Sequence, residues 1–360
     1  MSPSPATLPV MRPRFQWDLG RRKLALGEQT LVMGVLNVTP DSFSDGGMHL
    51  SPGLAVKHGL RLLDEGADIL DIGGESTRPG VATATGELGL AGAVTAEEEA
   101  ARILPVILEL KRLRPNSILS VDTYKAEVAR AAVEAGAEIV NDVSGFTWDA
   151  GMARMLAELG CGAVLMHTRG QPHQWRLQPP ARDIVGLVRD ELRQRLGHAM
   201  ERGVGSQRIV LDPGFGFGKN FDENYPLLAH FAELQLLGRP LLAAVSRKSF
   251  LGRTIRERLA LLGVESTPTA ASATSSSAAS TATSANQASA IGSAAQSAAD
   301  AFAPTMQDHS ALDHAALDHA TLAATVAAVL AGAHIVRVHN VRPAVEALAV
   351  ADRILAESNE

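Results

Sequence analysis

Short runs dominated by Val, Ile and Leu recur eight times along the chain, at residues 30–37, 69–73, 118–122, 139–142, 162–166, 209–212, 240–245 and 335–338. Longer stretches with helical patterning lie between them, the rhythm of repeated βα units. The strand runs are apolar almost throughout, which implies burial on both faces, as in a parallel sheet covered by helices. Several helices announce their ends. Thr95 and Glu98 form a capping box ahead of the apolar pattern 103–113, and Gly136 stops the pattern 125–135. Eight strands, each followed by a helix, close most economically into an α/β TIM (β/α)8 barrel. The helix after the last strand is expected over residues 343–356, and residues 14–29, with Trp17, Leu24 and Leu26, are expected to cover the barrel's N-terminal end.

One tract breaks the rhythm. From 266 to 303, 30 of 38 residues are Ser, Thr or Ala, with no charge between Glu265 and Asp300. Such a segment cannot bury enough apolar surface to offset its ordering entropy. A five-residue repeat follows: Asp308-His309, Asp313-His314 and Asp318-His319. Its spacing matches no tetrahedral ligand set, and it reads as repeat expansion. The domain reading is thus a tail and cap over 1–29, one barrel over 30–358, and a disordered insert over 264–318, between strands seven and eight and ahead of a helical pattern at 322–331. A smaller Gly- and Ala-rich interruption at 81–93 follows strand two; both interruptions read as mobile loops on one rim.

Composition narrows the function classes. Of 360 residues, 46% are hydrophobic and 20% charged, enough for a packed core. The net charge of -6 gives no basic surface for nucleic acid or an anionic membrane, so neither is expected as a partner. Cys161 is the only cysteine, which excludes an intrachain disulfide and Cys-rich zinc binding and fits a small buried hydrophobe in a reducing compartment. Residues 1–13 carry four prolines and no signal-peptide core, and no run reaches 18 apolar residues, so a cytoplasmic location is expected.

In a parallel barrel the chemistry sits at the C-terminal ends of the strands. Strand one ends in Asn37, strand two runs through Asp71 to Gly80, and strand three ends in Asp122. Strand four ends in Asn141-Asp142, strand five in His167 and strand six in Asp212. Strand seven ends in Ser246-Arg247-Lys248-Ser249, and strand eight in Arg337-Val338-His339-Asn340. Any one of these could be a turn or cap residue, but eight in register point to a site. Asp122, Asn141 and Asp212 with a lysine suit a polar heterocycle rich in N–H donors. Arg78, Arg337 and His339, near Asn37, suit a phosphate or diphosphate. Asn37 reads either as a neutral oxygen ligand for Mg2+, held mostly by the substrate's phosphates, or as a turn contact to the following loop. Residues 214–219 lack the GxxxxGK spacing of a nucleotide phosphate loop, and their glycines read instead as close backbone approach. His173 and Trp175 read as rim residues without a role.

These blocks carry a specific resemblance. Met33-Gly34-Val35-Leu36-Asn37-Val38-Thr39-Pro40-Asp41-Ser42-Phe43-Ser44-Asp45-Gly46-Gly47, Asp71 to Gly80, Ser120-Val121-Asp122-Thr123, Asn141-Asp142-Val143-Ser144, Met166-His167, Asp212 to Lys219, Ser246-Arg247-Lys248-Ser249 and Arg337-Val338-His339 follow one another as in the dihydropteroate synthases. The chain resembles that folate-pathway family across the whole barrel, with Asn340 where the family commonly has Asp. The resemblance implies a TIM barrel, usually homodimeric, that condenses 6-hydroxymethyl-7,8-dihydropterin diphosphate with p-aminobenzoate to dihydropteroate and diphosphate. It places Asp122, Asn141, Asp212 and Lys248 on the pterin, with Met166 and Phe217 lining the pocket. It places Asn37, Arg78, Arg337 and His339 on the diphosphate and Mg2+, with Asn37 as the metal ligand. Ser76, Thr77, Pro79, Phe217, Lys248 and Ser249 match the region where p-aminobenzoate and sulfonamide drugs sit. Lys248, Arg337, His339 and Asp122 are then the catalytic set, acting on loss of diphosphate from the pterin methylene carbon before the amine adds. Two other readings share part of the pattern. A pterin-dependent methyltransferase barrel has the Asp-Asn-Asp set but no diphosphate to hold, and a catalytically silent pterin-binding scaffold would be expected to lose the diphosphate residues.

Overall fold

The computed structural model describes residues 12–39, 52–75, 93–263 and 314–358. Ser76, Thr77, Arg78 and Pro79, residues 81–92 and the 266–303 tract lie outside the described residues.

The chain opens with an antiparallel hairpin, β1 (Phe15–Asp18) and β2 (Lys23–Leu26). The eight apolar runs then form β3 (Leu31–Asn37), β4 (Ile69–Gly73), β5 (Ile118–Asp122), β6 (Ile139–Asp142), β7 (Gly162–Met166), β8 (Ile209–Asp212), β9 (Leu242–Ala243) and β10 (Ile335–Val338). These eight run parallel in the order β8-β7-β6-β5-β4-β3-β10-β9. The Leu211 amide donates to the Pro240 carbonyl at 2.9 Å and joins the two ends, closing a TIM barrel. Outside it lie α1 (Pro52–Asp64), α2 (Ala96–Leu113), α3 (Ala126–Glu134), α4 (Met152–Leu159), α5 (Ile184–Glu201), α6 (Phe221–Ala229), α7 (Ser249–Leu261), α8 (His314–Leu330) and α9 (Val341–Ser358). The capping box is made as its residues predict: the Glu98 amide donates to Thr95 Oγ1 at 3.1 Å, and the Thr95 amide to Glu98 Oε2 at 3.0 Å.

Side-chain alternation sorts the strands into an outward face packed on helices and an inward face. Met33, Ile69, Ile139, Val164, Val210, Leu242 and Ile335 form the lowest inward layers, in one cluster with Trp17, Leu19 and Leu26 of the hairpin region. Trp17 is fully buried, and its indole N–H donates to the Arg208 carbonyl at 2.8 Å. The cap over residues 14–29 is therefore a β-hairpin whose apolar side chains close the lower opening.

The seventh strand is shorter than its apolar run. The expected 240–245 contracts to Leu242–Ala243 because the buried His334 imidazole accepts the Leu241 amide at 3.1 Å, while Val245 O takes the Lys248 amide at 3.3 Å in a turn. Two helices, not one, follow it. The helical pattern at 322–331 belongs to α8, and α7 precedes the tract without having been anticipated. Since α8 begins at His314, the last five residues of the expected insert 264–318 are helical. No helix among the described residues is long and apolar enough to cross a membrane.

Candidate active site

The inward positions that are apolar at the bottom of the barrel turn polar two to four residues later. Ile69 gives way to Asp71, Ile118 to Ser120 and Asp122, Ile139 to Asn141, Val210 to Asp212, and Ile335 to Arg337, while Val164 is followed by the apolar Met166. Register sets them at matching heights: Asn37 pairs with Gly73, Gly73 with Asp122, Asp122 with Asn141, and Met166 with Asp212. A Cβ at Gly73 would lie 3.9 Å from Asn37 Oδ1 and 3.8 Å from Asp122 Oδ2, so glycine leaves room between the two.

Arg337 reaches from β10 to two carboxylates. Its Nε donates to Asp71 Oδ2 at 2.6 Å and its Nη2 to Asp122 Oδ2 at 2.7 Å. Asn141 Nδ2 donates to the same Asp71 oxygen at 2.9 Å, which fixes the Asn141 amide and leaves its carbonyl oxygen for an N–H donor. Asp71 is fully buried and its Oδ1 has no protein partner. It was visible in the strand-two run but joined no expected site set; a carboxylate at an inward position of an apolar strand is the signal that could have singled it out. The diphosphate set expected Arg337 beside His339, and its guanidinium spans the carboxylate group as well.

Lys248 lies with its ammonium 4.0 Å from the centre of the Phe217 ring, a cation–π contact at the edge of the same mouth. Phe217 packs edge-to-face on Trp175 at 5.0 Å, in a small cluster with Met166, Val143 and Tyr124. Trp175 is therefore no bare rim residue: it is buried, and its indole donates to Thr168 Oγ1 and the Gly170 carbonyl, each at 3.1 Å. Phe217 rides on the glycine loop after β8. At Gly214, φ is +66° and a Cβ would meet the His167 carbonyl at 1.9 Å, so only glycine fits. Lys219 closes the loop from below, donating to the Gly214 carbonyl at 2.7 Å and lying 2.9 Å from His167 Nδ1. His167, at the end of β7, is fully buried behind the mouth with Nε2 3.1 Å from Glu191.

His339 contributes through the β9 end. Its Nδ1 lies 2.9 Å from Ser246 Oγ, and its amide donates to that oxygen at 3.2 Å. Ser249 is exposed as the first residue of α7, with Lys248 as a cap that makes no side-chain bond. Glu75, the last described residue before Ser76, is held by Lys125 and by the Tyr124 hydroxyl at 3.2 Å.

Burial dominates the electrostatics. It pushes Asp122 up to about 7, against the pull of Arg337 and with added repulsion from Asp71. It pushes Asp212 up to about 6, against the Gly214 amide and Lys248. Lys248 falls to about 8 through burial and then the nearby Arg337 charge. His339 falls to about 3 for the same two reasons, so it is neutral at pH 7. The mouth thus holds carboxyl groups poised to change protonation near neutrality. No group of three or more His, Cys, Asp or Glu that could hold a metal occurs among the described residues. Among the described residues Asn37 Oδ1 is a neutral oxygen at the mouth, and with ligand phosphates it would make a donor set that suits Mg2+.

Residues 33–291 match the model of the pterin binding enzyme family. The chain belongs to the pterin-binding enzymes. The Clostridium beijerinckii dihydropteroate synthase is 40% identical over 234 residues, 65% of this chain and 80% of the relative. Among solved structures, Xanthomonas albilineans dihydropteroate synthase with 4-aminobenzoic acid superposes with a TM-score of 0.71 at 37% identity, covering 96% of this chain and 99% of that one. Yersinia pestis dihydropteroate synthase with a sulfonamide drug gives 0.72 at 31% identity, covering 95% and 100%.

Proposed function

We propose that the chain is a dihydropteroate synthase, joining 6-hydroxymethyl-7,8-dihydropterin diphosphate to p-aminobenzoate in folate biosynthesis. The observation that carries the reading is the level of inward polar groups, Asp122, Asn141 and Asp212, closed on one side by Lys248 over Phe217. A dihydropterin presents ring and amino N–H donors along one edge. Ionised Asp122 and Asp212 and the Asn141 carbonyl accept them, Met166 and Phe217 take the ring faces, and Lys248 donates to the heterocycle's acceptors.

The diphosphate lies toward Asn37, His339 and the free edge of Arg337, with Arg78 as a further expected contact. Ser246 accepts the His339 amide and lies 2.9 Å from Nδ1; in the tautomer in which the hydroxyl donates to Nδ1, neutral His339 offers its Nε2 proton to a phosphoryl oxygen. Asn37 would hold Mg2+ together with the substrate's phosphates, and when bound the ion would supply positive charge against the leaving group. The bond from the methylene carbon to diphosphate oxygen breaks, its electron pair leaving with diphosphate. The aromatic amine's lone pair then forms the new C–N bond, and the amine proton passes to water. No strong base is needed, since the amine is neutral at pH 7. Donors placed on the departing oxygens contribute about 3 kcal/mol each. The p-aminobenzoate lies beside Phe217, with Ser76, Thr77 and Pro79 as expected contacts and its carboxylate near Ser249 at the start of α7.

Sulfonamides would compete for that p-aminobenzoate position. A homodimer belongs to the same proposal, as the family resemblance implies. A cytoplasmic location is part of the same proposal. The reading is tested by incubating purified protein with Mg2+, the dihydropterin diphosphate and p-aminobenzoate. Dihydropteroate and diphosphate are expected at equal rates; pterin binding with no product would make the chain a silent binding module.

A further inference from the structure

The third Asp-His pair of the repeat, which the sequence reads as expansion, falls inside α8 and touches the rim of the site. Both oxygens of Asp318 are engaged by Arg247, from Nε at 2.7 Å and from Nη2 at 2.9 Å, and Asn340 Nδ2 donates to Oδ2 at 3.3 Å. One turn along α8, Thr321 Oγ1 accepts the Arg247 amide at 3.0 Å. Both partners are largely shielded, the Asp318 side chain being 16% exposed and that of Arg247 30%. Arg247 has φ +55°, and only Phe146 joins it at positive φ among the described non-glycine residues. An arginine does not stay in that region unless its surroundings hold it. The residues on either side of Arg247 are Ser246, which holds His339, and Lys248, which lies over Phe217. Asn340 follows His339 directly. One carboxylate thus holds the chain neighbours of two expected site residues carried on different strands.

We propose that Asp318 is a positioning residue: it clamps Arg247 in its left-handed conformation and so sets Lys248 and the Ser246–His339 pair at the barrel mouth. The proposal rests on the synthase reading. The fork-to-carboxylate match explains why both oxygens are used, since an amide in place of the carboxylate would turn N–H groups toward the guanidinium. Asp318 is the last residue of the expected insert 264–318, 53 residues after Glu265.

The test uses the full chain and compares wild type with Asp318→Ala, Asp318→Asn, Arg247→Ala and the Asp318→Ala/Arg247→Ala double variant. Thermal melts, kcat and KM for both substrates are measured well below melting. Each single variant is expected to lose about tenfold in kcat/KM, as a small misplacement of reacting groups does. The double variant should lose no more than about twice the worse single, because the pair acts as one unit. Losses that multiply in the double variant would overturn the proposal. So would kcat/KM unchanged beside a lowered melting temperature, which makes Asp318 a scaffold residue. An inactive wild type would sink the synthase reading itself, whereas an active wild type with fully active Asp318→Ala removes the positioning role alone.

Discussion

The two ends of the barrel are built by the same strands and obey opposite rules. At the lower end, Ile69, Ile139, Val210 and Ile335 point inward and meet Trp17 and Leu26 of the hairpin, a dry layer with no charge in it. Two residues later the same strands turn Asp71, Asn141, Asp212 and Arg337 into the same interior, and burial there works against the groups. The lower layer gains free energy from exclusion of water, roughly 25 cal/mol per Å2 of apolar surface. The upper layer holds groups that would be better solvated outside, and keeps them for what they do to a ligand. Stability and chemistry are thus divided by height along the barrel axis, not by strand.

Substitutions at the two ends should separate these contributions. The largest effect is expected from Arg337→Ala, which removes a guanidinium from Asp71 and Asp122 together. It should abolish measurable turnover and lower stability by about 3 kcal/mol, because two largely buried carboxylates lose their shared cation. A variant that melts like wild type would show that the carboxylates take up protons or water without cost. Next comes Lys248→Ala, for which kcat/KM should fall about 100- to 1000-fold while the melting temperature hardly moves. Collapse of its fold would move Lys248 from the mouth to the framework.

Trp17→Ala should do the reverse. Stability drops by about 3 to 5 kcal/mol through the cavity left under the barrel, with kcat unchanged at low temperature. Lost turnover in a variant still folded would break the division by height. The smallest effect concerns pH. The profile of kcat/KM should rise as Asp212 and Asp122 ionise through about 6 to 7, and fall above about 8 as Lys248 loses its proton. Because His339 is already neutral, His339→Gln should lower the rate without removing the acid limb. The same carboxyls act on stability. Their folded values lie above the unfolded ones, so between about pH 4 and 7 the native state binds more protons. The contribution of these two carboxyls to the stability of the ligand-free protein should therefore fall as pH rises through that window. It is opposed by His339, His167 and His334, whose burial sets their folded values below the unfolded one. Melts of wild type against Asp122→Asn and Asp212→Asn across that range isolate the carboxyl part.

The sequence was most readable where one local rule decides the outcome. Seven of the strand runs and the Thr95 cap follow from apolar patterning and capping chemistry alone. It was least readable where a distant side chain decides. The His334 imidazole that shortens β9 lies 93 residues from the amide it accepts, and Arg337 meets Asp71 across 266 residues. Asp122, Asn141, Asp212, Arg337 and His339 could be named because they end strands. Asp71 sits earlier in its strand, Trp175 looks like a loop residue, and Asp318 was masked by the repeat around it. No local pattern reveals that Asp318 clamps a residue beside Lys248.

The central claim is that the inward carboxylates of the mouth form the floor for a pterin. Calorimetric titration of the dihydropterin diphosphate into wild type, Asp212→Asn and Trp17→Ala below its melting temperature tests it most directly. The account predicts binding weakened by about 10- to 100-fold in Asp212→Asn, the loss of a charge-assisted acceptor, and unchanged in Trp17→Ala. Equal affinity in wild type and Asp212→Asn would contradict it.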